Sequence, residues 1–271
     1  MKDINIVVFS KDRACQLELF IRSMKEFFKE FDKCFITIQY TFSNPEYEKG
    51  YEILKKIHPD KNLNYFKEIY PFQTSLLSQF NPSRKVSIFF VDDNVFKEPF
   101  SFEDKEFKRW LNNPQILTLS LRLHPRLNYC YPARINQTSP PMNEGVFNWV
   151  GKMGDFGYPM SLDGHFFRTE NITPYLYNIR YTGPNDLESQ MAMRPIPIPN
   201  MMCYETSKIM NLPLNKVQDF NNNVHGHITA EFLNDRFLNG ERMSLDNIRG
   251  FDNTSCHQEM DIQFEKLILP E

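Results

Sequence analysis

Two adjacent carboxylates follow a short apolar run in the first half of the chain. The run Val86–Val91 predicts a buried strand, and Asp92, Asp93 and Asn94 come directly after it. Because open α/β sheets hold ligands at the ends of their strands, we expect these side chains at the rim of a sheet. Oxygen ligands at such a rim suit Mg²⁺ or Mn²⁺, which often share their coordination with substrate phosphates. An acidic turn without a ligand is the alternative, since Asp and Asn are common turn formers.

A second polar group follows the first predicted strand, residues 4–9, and precedes a segment with the apolar spacing of an amphipathic helix. Ser10, Lys11 and Arg13 lie between the two, and Asp12 is predicted to cap the helix. A helix start presents free N–H groups, so this corner favours a phosphate or nucleotide. The turn contains no glycine, and neither the Rossmann nor the P-loop fingerprint is present. The alternative for Lys11 and Arg13 is two solvated charges.

Candidates for a general base lie in the second half. Asp163 stands in SLDGH, and Asp186 and Glu188 stand in PNDLE, where a helix is predicted to begin. A base must reach an acceptor hydroxyl and take its proton, and a helix dipole would hold a carboxylate in position. The alternatives are structural: Asn185 or Asp186 could cap the helix, and Glu188 could be a helix-start charge.

The sequence His225-Gly226-His227 could place one imidazole at a metal, because glycine allows an extended loop. Imidazole is an acceptable ligand for Mn²⁺ in a mixed oxygen and nitrogen site. Two polar loop histidines are the alternative. The spacing HExxH and a cysteine partner are both absent, so we do not predict a zinc site. The GxSxG motif of serine hydrolases is also absent.

The first half alternates strands and helices about four times, which predicts a parallel α/β sheet with right-handed crossovers. In the second half we predict long loops, a turn-rich strand edge, the PNDLE helix, an extended proline-rich segment and one late helix. No repeat or linker is evident, so one domain spanning residues 1–271 is expected. The predicted elements after the first strand are residues 13–31, 34–40, 46–57, 64–69, 72–80, 86–91, 102–111, 116–123, 127–159, 161–168, 184–191, 194–200 and 229–238.

Composition narrows the classes of partner. A net charge of −3 and a pI near 6.1 provide no basic field for nucleic acid. Five cysteines without a CxxC predict reduced thiols. No apolar run reaches the length of a membrane span, and the N-terminal residues lack the apolar region of a signal peptide. We therefore expect a cytoplasmic protein, and peripheral contact with a membrane stays open.

These segments, in this order, resemble the nucleotide-sugar-dependent glycosyltransferases of the GT-A fold, particularly small bacterial or viral ones. The resemblance runs from Ile4 to about Gly240 and rests on IVVFSKDRACQLELF, FFVDDNVF in the place of a DxD motif, YPMSLDGHFFRT, PNDLE and HGH. It implies a Rossmann-type mixed sheet flanked by helices. Residues 1–125 would bind the nucleotide sugar, and the loop-rich residues 126–271 would bind the acceptor and carry catalytic groups.

The resemblance also implies roles for the site residues. The catalytic base of an inverting enzyme would be Asp186 or Glu188, with Asp163 as a further candidate. Because strand alternation puts Asp92 and Asn94 on the face opposite Asp93, we favour Asp93 as the direct metal ligand. The residues implied near the nucleotide and its diphosphate are Ser10, Lys11, Arg13, Asp92 and Asp93. Those implied at an Mn²⁺ or Mg²⁺ ion are Asp93, Asn94, His225 and His227.

We therefore predict a metal-dependent glycosyltransferase of polysaccharide biosynthesis, which moves a sugar from a nucleoside diphosphate sugar to a hydroxyl of a glycan or lipid-linked saccharide. We expect inversion, although Asn-Asp-Leu-Glu departs from the usual Glu-Asp pair. A sugar nucleotidyltransferase is one rival, but it normally needs a glycine-rich loop. A non-catalytic saccharide-binding protein is the other, with aromatic loops at residues 129–131 and 147–158. Donor sugar, nucleotide base, acceptor and oligomeric state stay open.

Overall fold

The computed structural model describes residues 3–216 and 226–267, and this part of the chain contains fourteen strands and seven α-helices. The strands are β1 (Ile4–Lys11), β2 (Ile36–Thr41), β3 (Leu63–Lys67), β4 (Val86–Val91), β5 (Asn94–Phe96), β6 (Ile116–Ser120), β7 (Tyr129–Cys130), β8 (Ile135–Asn136), β9 (Val146–Asn148), β10 (His165–Arg168), β11 (Asn200–Cys203), β12 (Ile209–Asn211), β13 (Glu241–Met243) and β14 (Phe264–Lys266). The helices are α1 (Ala14–Phe27), α2 (Pro45–Ile57), α3 (Phe72–Gln79), α4 (Lys105–Asn112), α5 (Thr169–Asn178), α6 (Pro184–Ala192) and α7 (Ala230–Leu238).

Eight strands form the central sheet in the order β3-β2-β1-β4-β10-β6-β11-β9. The first four run parallel, as their apolar sequences predict. β10 then lies antiparallel between β4 and β6, β11 is parallel to β6, and β9 closes the edge in the antiparallel direction. The mixed α/β class is therefore confirmed.

The position of β10 corrects one prediction, because residues 161–168 supply a central strand and not a strand edge. Phe166 and Phe167 are both buried, and they pack into cores on opposite faces of the sheet. A strand that is apolar on both faces is stable only where helices cover both faces. The turn-like SLDG sequence before the strand hides this feature.

Two cores sandwich the sheet. In β1, Ile6 and Val8 face the core that includes α1 and α2, whereas Val7 and Phe9 face the core that includes α3, α5 and α6. This alternation follows from the pleat of a strand. Burying each large apolar side chain contributes about 1.5–3 kcal/mol, so the two cores hold the carboxyl ends of β1–β4 at fixed positions.

The corner between β1 and α1 differs from the prediction. The helix starts at Ala14 with Arg13 as its N-cap residue, and it ends at Phe27 before a short 3₁₀ turn. Asp12 has a φ of +58°, and its Oδ1 accepts a hydrogen bond from the backbone of Ser43 at 2.6 Å. The predicted cap is therefore wrong, because this carboxylate ties the corner to the loop after β2 instead.

Several short pairings were not predicted. β5 pairs with β12 in the antiparallel direction, which sets Asn94 level with Asn211. Residues 127–159, predicted as loops, contain β7, β8 and β9. The predicted extended segment 194–200 leads into β11. Two- to four-residue strands carry little periodic signal, so only their partners define them.

Two compositional predictions can be compared with the structure. All five cysteines are free, as predicted, and all five are buried. Within residues 3–216 and 226–267, none of the helices combines the length and apolarity that crossing a bilayer requires.

Candidate active site

A cleft of about 870 Å³ lies where the parallel strands β1–β4 end. This volume is within the range of small-molecule sites. β1, β4 and the segments before β10 and α6 all contribute to its wall. Its charged or titratable lining residues include Lys11, Arg13, Glu68, Asp92, Asp93, Arg122, Asp155, Asp163, Asp186, Glu188, Lys216 and His257.

Asp92 links the end of β4 to the β1–α1 corner. One carboxylate oxygen accepts from Nη1 of Arg13 at 3.0 Å, and the other accepts from the backbone N–H of Lys11 at 3.1 Å. Burial raises the pKa of Asp92, whereas Arg13 and the hydrogen bonds act in the opposite direction. Because both of its carboxylate oxygens accept hydrogen bonds from this corner, Asp92 holds the corner against the end of β4.

Arg13 is held by protein groups. Besides Asp92, its Nη1 lies 3.7 Å from Oδ2 of Asp93, and its Nε donates to Oδ1 of Asn215 at 2.8 Å. Nearby, Oγ of Ser10 and the hydroxyl of Tyr51 share a hydrogen bond of 2.7 Å. The side chain of Lys11 is exposed along the cleft.

Asp93 lies in the cleft wall, and its side chain is 17% exposed. Nδ2 of Asn211 donates to its Oδ1 at 2.9 Å, and Asn211 also hydrogen-bonds Asp163. Burial, together with the charges of Asp163 and Asp92, raises the pKa of Asp93 to about 7, although Arg13 opposes the shift. Adjacent carboxylates of this kind are stabilised by a proton or by a cation between them.

Asn94 is turned away from this group. It is buried, and its Oδ1 accepts from the backbone N–H of Val91 at 3.0 Å, closing the turn after β4. The alternation expected from a strand does not apply here, because Asp92 and Asp93 form a turn and both line the cleft.

Asp163 and Glu188 meet around Arg122. The buried guanidinium donates to Oδ2 of Asp163 at 3.1 Å and to Oγ of Ser161 at 2.9 Å. Oε1 of Glu188 accepts from the backbone N–H of Leu162 at 2.5 Å. Burial and the charge of Asp163 raise the pKa of Glu188 to about 7. Burial likewise raises the pKa of Asp163, against the effect of Arg122.

Asp186 lines the same cleft but has another partner. Its Oδ2 accepts from both the backbone N–H and the hydroxyl of Thr182, at 2.9 and 3.1 Å. The N-cap residue of α6 is Gly183, so the predicted capping by Asn185 or Asp186 is not observed. Asp186 instead joins the first turn of α6 to the chain before it.

His225 and His227 were predicted at a metal, and the structure brings a different histidine to the cleft. His225 lies outside the described residues, and His227 is exposed and does not line the cleft. His257 does line it, with Nε2 4.0 Å from Oδ2 of Asp163 and the ring stacked on Tyr131. Burial and the charge of Arg122 lower the pKa of His257 to about 3, so it is neutral near pH 7.

Sequence reasoning missed Arg122, Asn211, Asn215 and His257. An arginine within the apolar run of residues 116–123 is the one sequence signal that could have indicated Arg122, because arginine is rarely buried without a partner. Asn211, Asn215 and His257 belong to no recognisable sequence motif, and only tertiary contacts bring them to the cleft.

A divalent cation would depend on substrate here. In the described part of the chain, no three His, Cys, Asp or Glu side chains form a cation site by themselves. The donor set nevertheless fits an ion held by one or two carboxylates and completed by substrate oxygens, which is the usual arrangement for Mg²⁺. Asp93 is the carboxylate placed for this role, and Asp163 shares its partner Asn211.

The fold and cleft therefore define an α/β protein with an acidic ligand site at the ends of parallel strands. No family model matches the chain. It is 25% identical over 203 residues to the bifunctional glycosyltransferase pgtA of Dictyostelium discoideum, a match over 66% of this chain and 26% of that protein. The chain thus spans about a quarter of the length of this relative. The match confirms the predicted resemblance to glycosyltransferases.

Solved structures with partial likeness include enzymes of two kinds. TarS 1–349 of S. aureus has a TM-score of 0.47 at 11% identity, over 71% of this chain and 55% of that chain. The mannosyltransferase PcManGT of Pyrobaculum calidifontis, in complex with GDP-Man and Mn²⁺, has a TM-score of 0.38 at 13% identity. This match covers 76% of this chain and 57% of that chain. A cytidylyltransferase of Leptospira borgpetersenii has a TM-score of 0.40 at 12% identity, over 69% of this chain and 68% of that chain. With TM-scores under 0.5, these likenesses say nothing about the chemistry of this chain.

Proposed function

We propose that this chain is a glycosyltransferase that moves a sugar from a nucleoside diphosphate sugar to a hydroxyl of a glycan or lipid-linked saccharide. The observation that carries the proposal is the meeting of Asp93, Asp163 and Glu188 in one cleft at the ends of parallel strands. The relative described as a bifunctional glycosyltransferase supports the reaction class.

The donor diphosphate would lie at the corner of β1, α1 and β4. Lys11 supplies an exposed positive charge there, and Asp93 would hold Mn²⁺ or Mg²⁺ together with the diphosphate oxygens. When bound, such an ion stabilises the negative charge of the departing nucleoside diphosphate. Arg13 and Asp92 keep Asp93 in place through their own ion pair.

Glu188 is the carboxylate best suited to act as base. Its pKa is raised to about 7, which suits proton transfer near neutral pH, and the Leu162 N–H holds one of its oxygens. Asp163 is paired with Arg122, and Asp186 is bound to Thr182. In an inverting transfer, Glu188 takes the acceptor hydroxyl proton while the oxygen attacks the anomeric carbon and the bond to the diphosphate breaks.

The proposal is tested with UDP-, GDP-, TDP- and CMP-sugars, each with and without Mn²⁺, by thermal shift and by release of the free nucleotide. We expect one donor to raise the melting temperature in a metal-dependent way. Asp93→Ala should abolish both the shift and turnover. Glu103→Ala, which removes an exposed carboxylate outside the cleft, is the matched control.

Other outcomes would favour the rivals. Release of pyrophosphate from a nucleoside triphosphate and a sugar phosphate would indicate a nucleotidyltransferase, and no shift with any nucleotide would indicate a saccharide-binding protein. If Asp93→Ala leaves donor turnover and metal dependence unchanged, the site assignment is wrong. The acceptor class, polysaccharide biosynthesis and a cytoplasmic location stay predictions.

A further inference from the structure

Gln39 and Glu68 line the end of the cleft at strands β2 and β3, away from Asp93 and Glu188. Gln39 of β2 is 1% exposed, and its Nε2 donates to Oε2 of Glu68, which follows β3, at 3.1 Å. Oε1 of Gln39 is buried without a hydrogen-bond partner. Within residues 3–216 and 226–267, no donor is recorded for Oε1 of Glu68. These two oxygens therefore have unused capacity to accept hydrogen bonds, and both residues line the cleft.

The distance between this pair and the acidic site suits a nucleotide. The sheet order β3-β2-β1-β4 puts Glu68 three strands away from Asp93. At about 4.8 Å between neighbouring strands, the separation is roughly 14 Å. With the diphosphate beside Asp93, as proposed above, the nucleoside extends toward β2 and β3.

The wall around the pair suits a flat aromatic ring. Phe9, Phe42 and Phe72 all line the cleft, and the ring centroids of Phe9 and Phe72 are 5.4 Å apart. Nucleobases stack well on aromatic faces. The hydrogen-bonding edge of the base would then meet Gln39 and Glu68.

We propose that Glu68 and Gln39 bind the base-pairing edge of guanine, so that the donor is a guanosine diphosphate sugar. This inference rests on the proposed function, because it takes the cleft to bind a nucleotide. Guanine presents two adjacent donors, N1–H and the 2-amino group, to a pair of acceptors. Uracil presents one N–H between two carbonyl oxygens, and cytosine and adenine each present a ring nitrogen acceptor beside their amino group. Those three bases leave at least one acceptor facing another acceptor, which a buried site rejects strongly.

The test is calorimetric titration of the intact chain with GDP, UDP, CDP, ADP, inosine diphosphate and xanthosine diphosphate. We expect GDP to bind most tightly. Inosine lacks only the 2-amino group, so its diphosphate should bind about tenfold more weakly than GDP, which is the effect of one lost hydrogen bond in a buried site. This comparison requires no substitution and no sugar.

Glu68→Gln provides the second arm. The glutamine amide has one acceptor oxygen in place of two, so GDP should bind about tenfold more weakly than to the wild type. The amide N–H can donate to the 2-oxo group of xanthine, so xanthosine diphosphate should bind more tightly. Glu52→Gln, an exposed position outside the cleft, should leave the preference unchanged. A general loss of structure would weaken the binding of both nucleotides together, and a lower melting temperature of the variant would reveal it.

Four results distinguish the failure of this inference from the failure of the proposed function. Tightest binding of another base, or an unchanged ratio of GDP to xanthosine diphosphate affinity in Glu68→Gln, would overturn the guanine assignment. Sugar transfer from a uridine or cytidine donor would also overturn it and leave the glycosyltransferase proposal intact. Guanine selectivity without transfer from any GDP-sugar would support the base site and overturn the proposed reaction.

Discussion

At the scale of single residues, four of the carboxylates that line the cleft have different surroundings. Asp92 uses both oxygens within the protein, and Asp163 faces Arg122. Asp93 and Glu188, in contrast, have pKa values raised to about 7 by burial and by neighbouring carboxylates. Shifts of this size in a cleft are typical of functional groups. The two roles assigned above, holding the diphosphate side and taking a proton, fall to these two residues.

The role of Glu188 predicts a defined kinetic defect. Glu188→Gln should lower kcat by about 10²–10⁴-fold with little change in the donor KM, because the amide cannot take a proton. In the wild type, kcat should rise with pH and level off above about 7, where the carboxylate is ionised. A pH–rate profile of both proteins checks this. If Asp186→Asn loses the activity and Glu188→Gln keeps it, Asp186 is the base.

At the scale of elements, the start of α2 shows how local sequence contributes. Asn44 accepts hydrogen bonds from the backbone N–H groups of Glu46 and Tyr47 at 3.0 and 3.1 Å, and Pro45 occupies the first helical position. Both features are standard helix-start signals, and the predicted helix 46–57 agrees with α2. The helix start is encoded within four residues.

This cap leads to a stability prediction. Asn44→Ala should lower the free energy of unfolding by about 1 kcal/mol, because two backbone donors lose their acceptor. Asn44→Asp retains an oxygen at the same position and should be close to the wild type. Urea unfolding of the three proteins measures the difference. Equal stability of Asn44→Ala and the wild type would show that water replaces the cap without cost.

At the scale of the whole molecule, the buried carboxylates make stability depend on pH. Asp93 and Glu188 have folded-state pKa values of about 7, above their ordinary values of 3.8 and 4.5. The folded state therefore binds more protons than the unfolded state between these limits. The contribution of the two groups is fully present below their ordinary pKa values, and it is lost as the pH rises through about 7.

A double variant isolates this contribution. Asp93→Asn with Glu188→Gln removes both titrations, so its stability should fall less than that of the wild type between pH 5 and pH 8. A difference of 1 kcal/mol corresponds to roughly 2–4 °C in melting temperature for a chain near this size. Melting curves at several pH values, in buffer free of divalent ions, provide the measurement. Parallel pH curves for the two proteins would contradict the assigned shifts.

The sequence by itself determined the local elements and part of the site. β4 has the predicted bounds, α2 and α7 agree with the predicted helices 46–57 and 229–238, and the side chain of Thr229 caps α7. Ser10, Lys11, Arg13, Asp92 and Asp93 reach one cleft because parallel strands end at a common edge. These inferences succeed because they depend on residues close together in the chain.

Only the tertiary structure decided how the second half completes the site. β10 enters the centre of the sheet, the β5–β12 pair sets Asn211 beside Asp93, and His257 arrives from far along the chain. The same arrangement leaves Glu188 beside Asp163. Pairings between distant segments leave no periodic signal in sequence, because their stability comes from burial that exists only when both partners are folded.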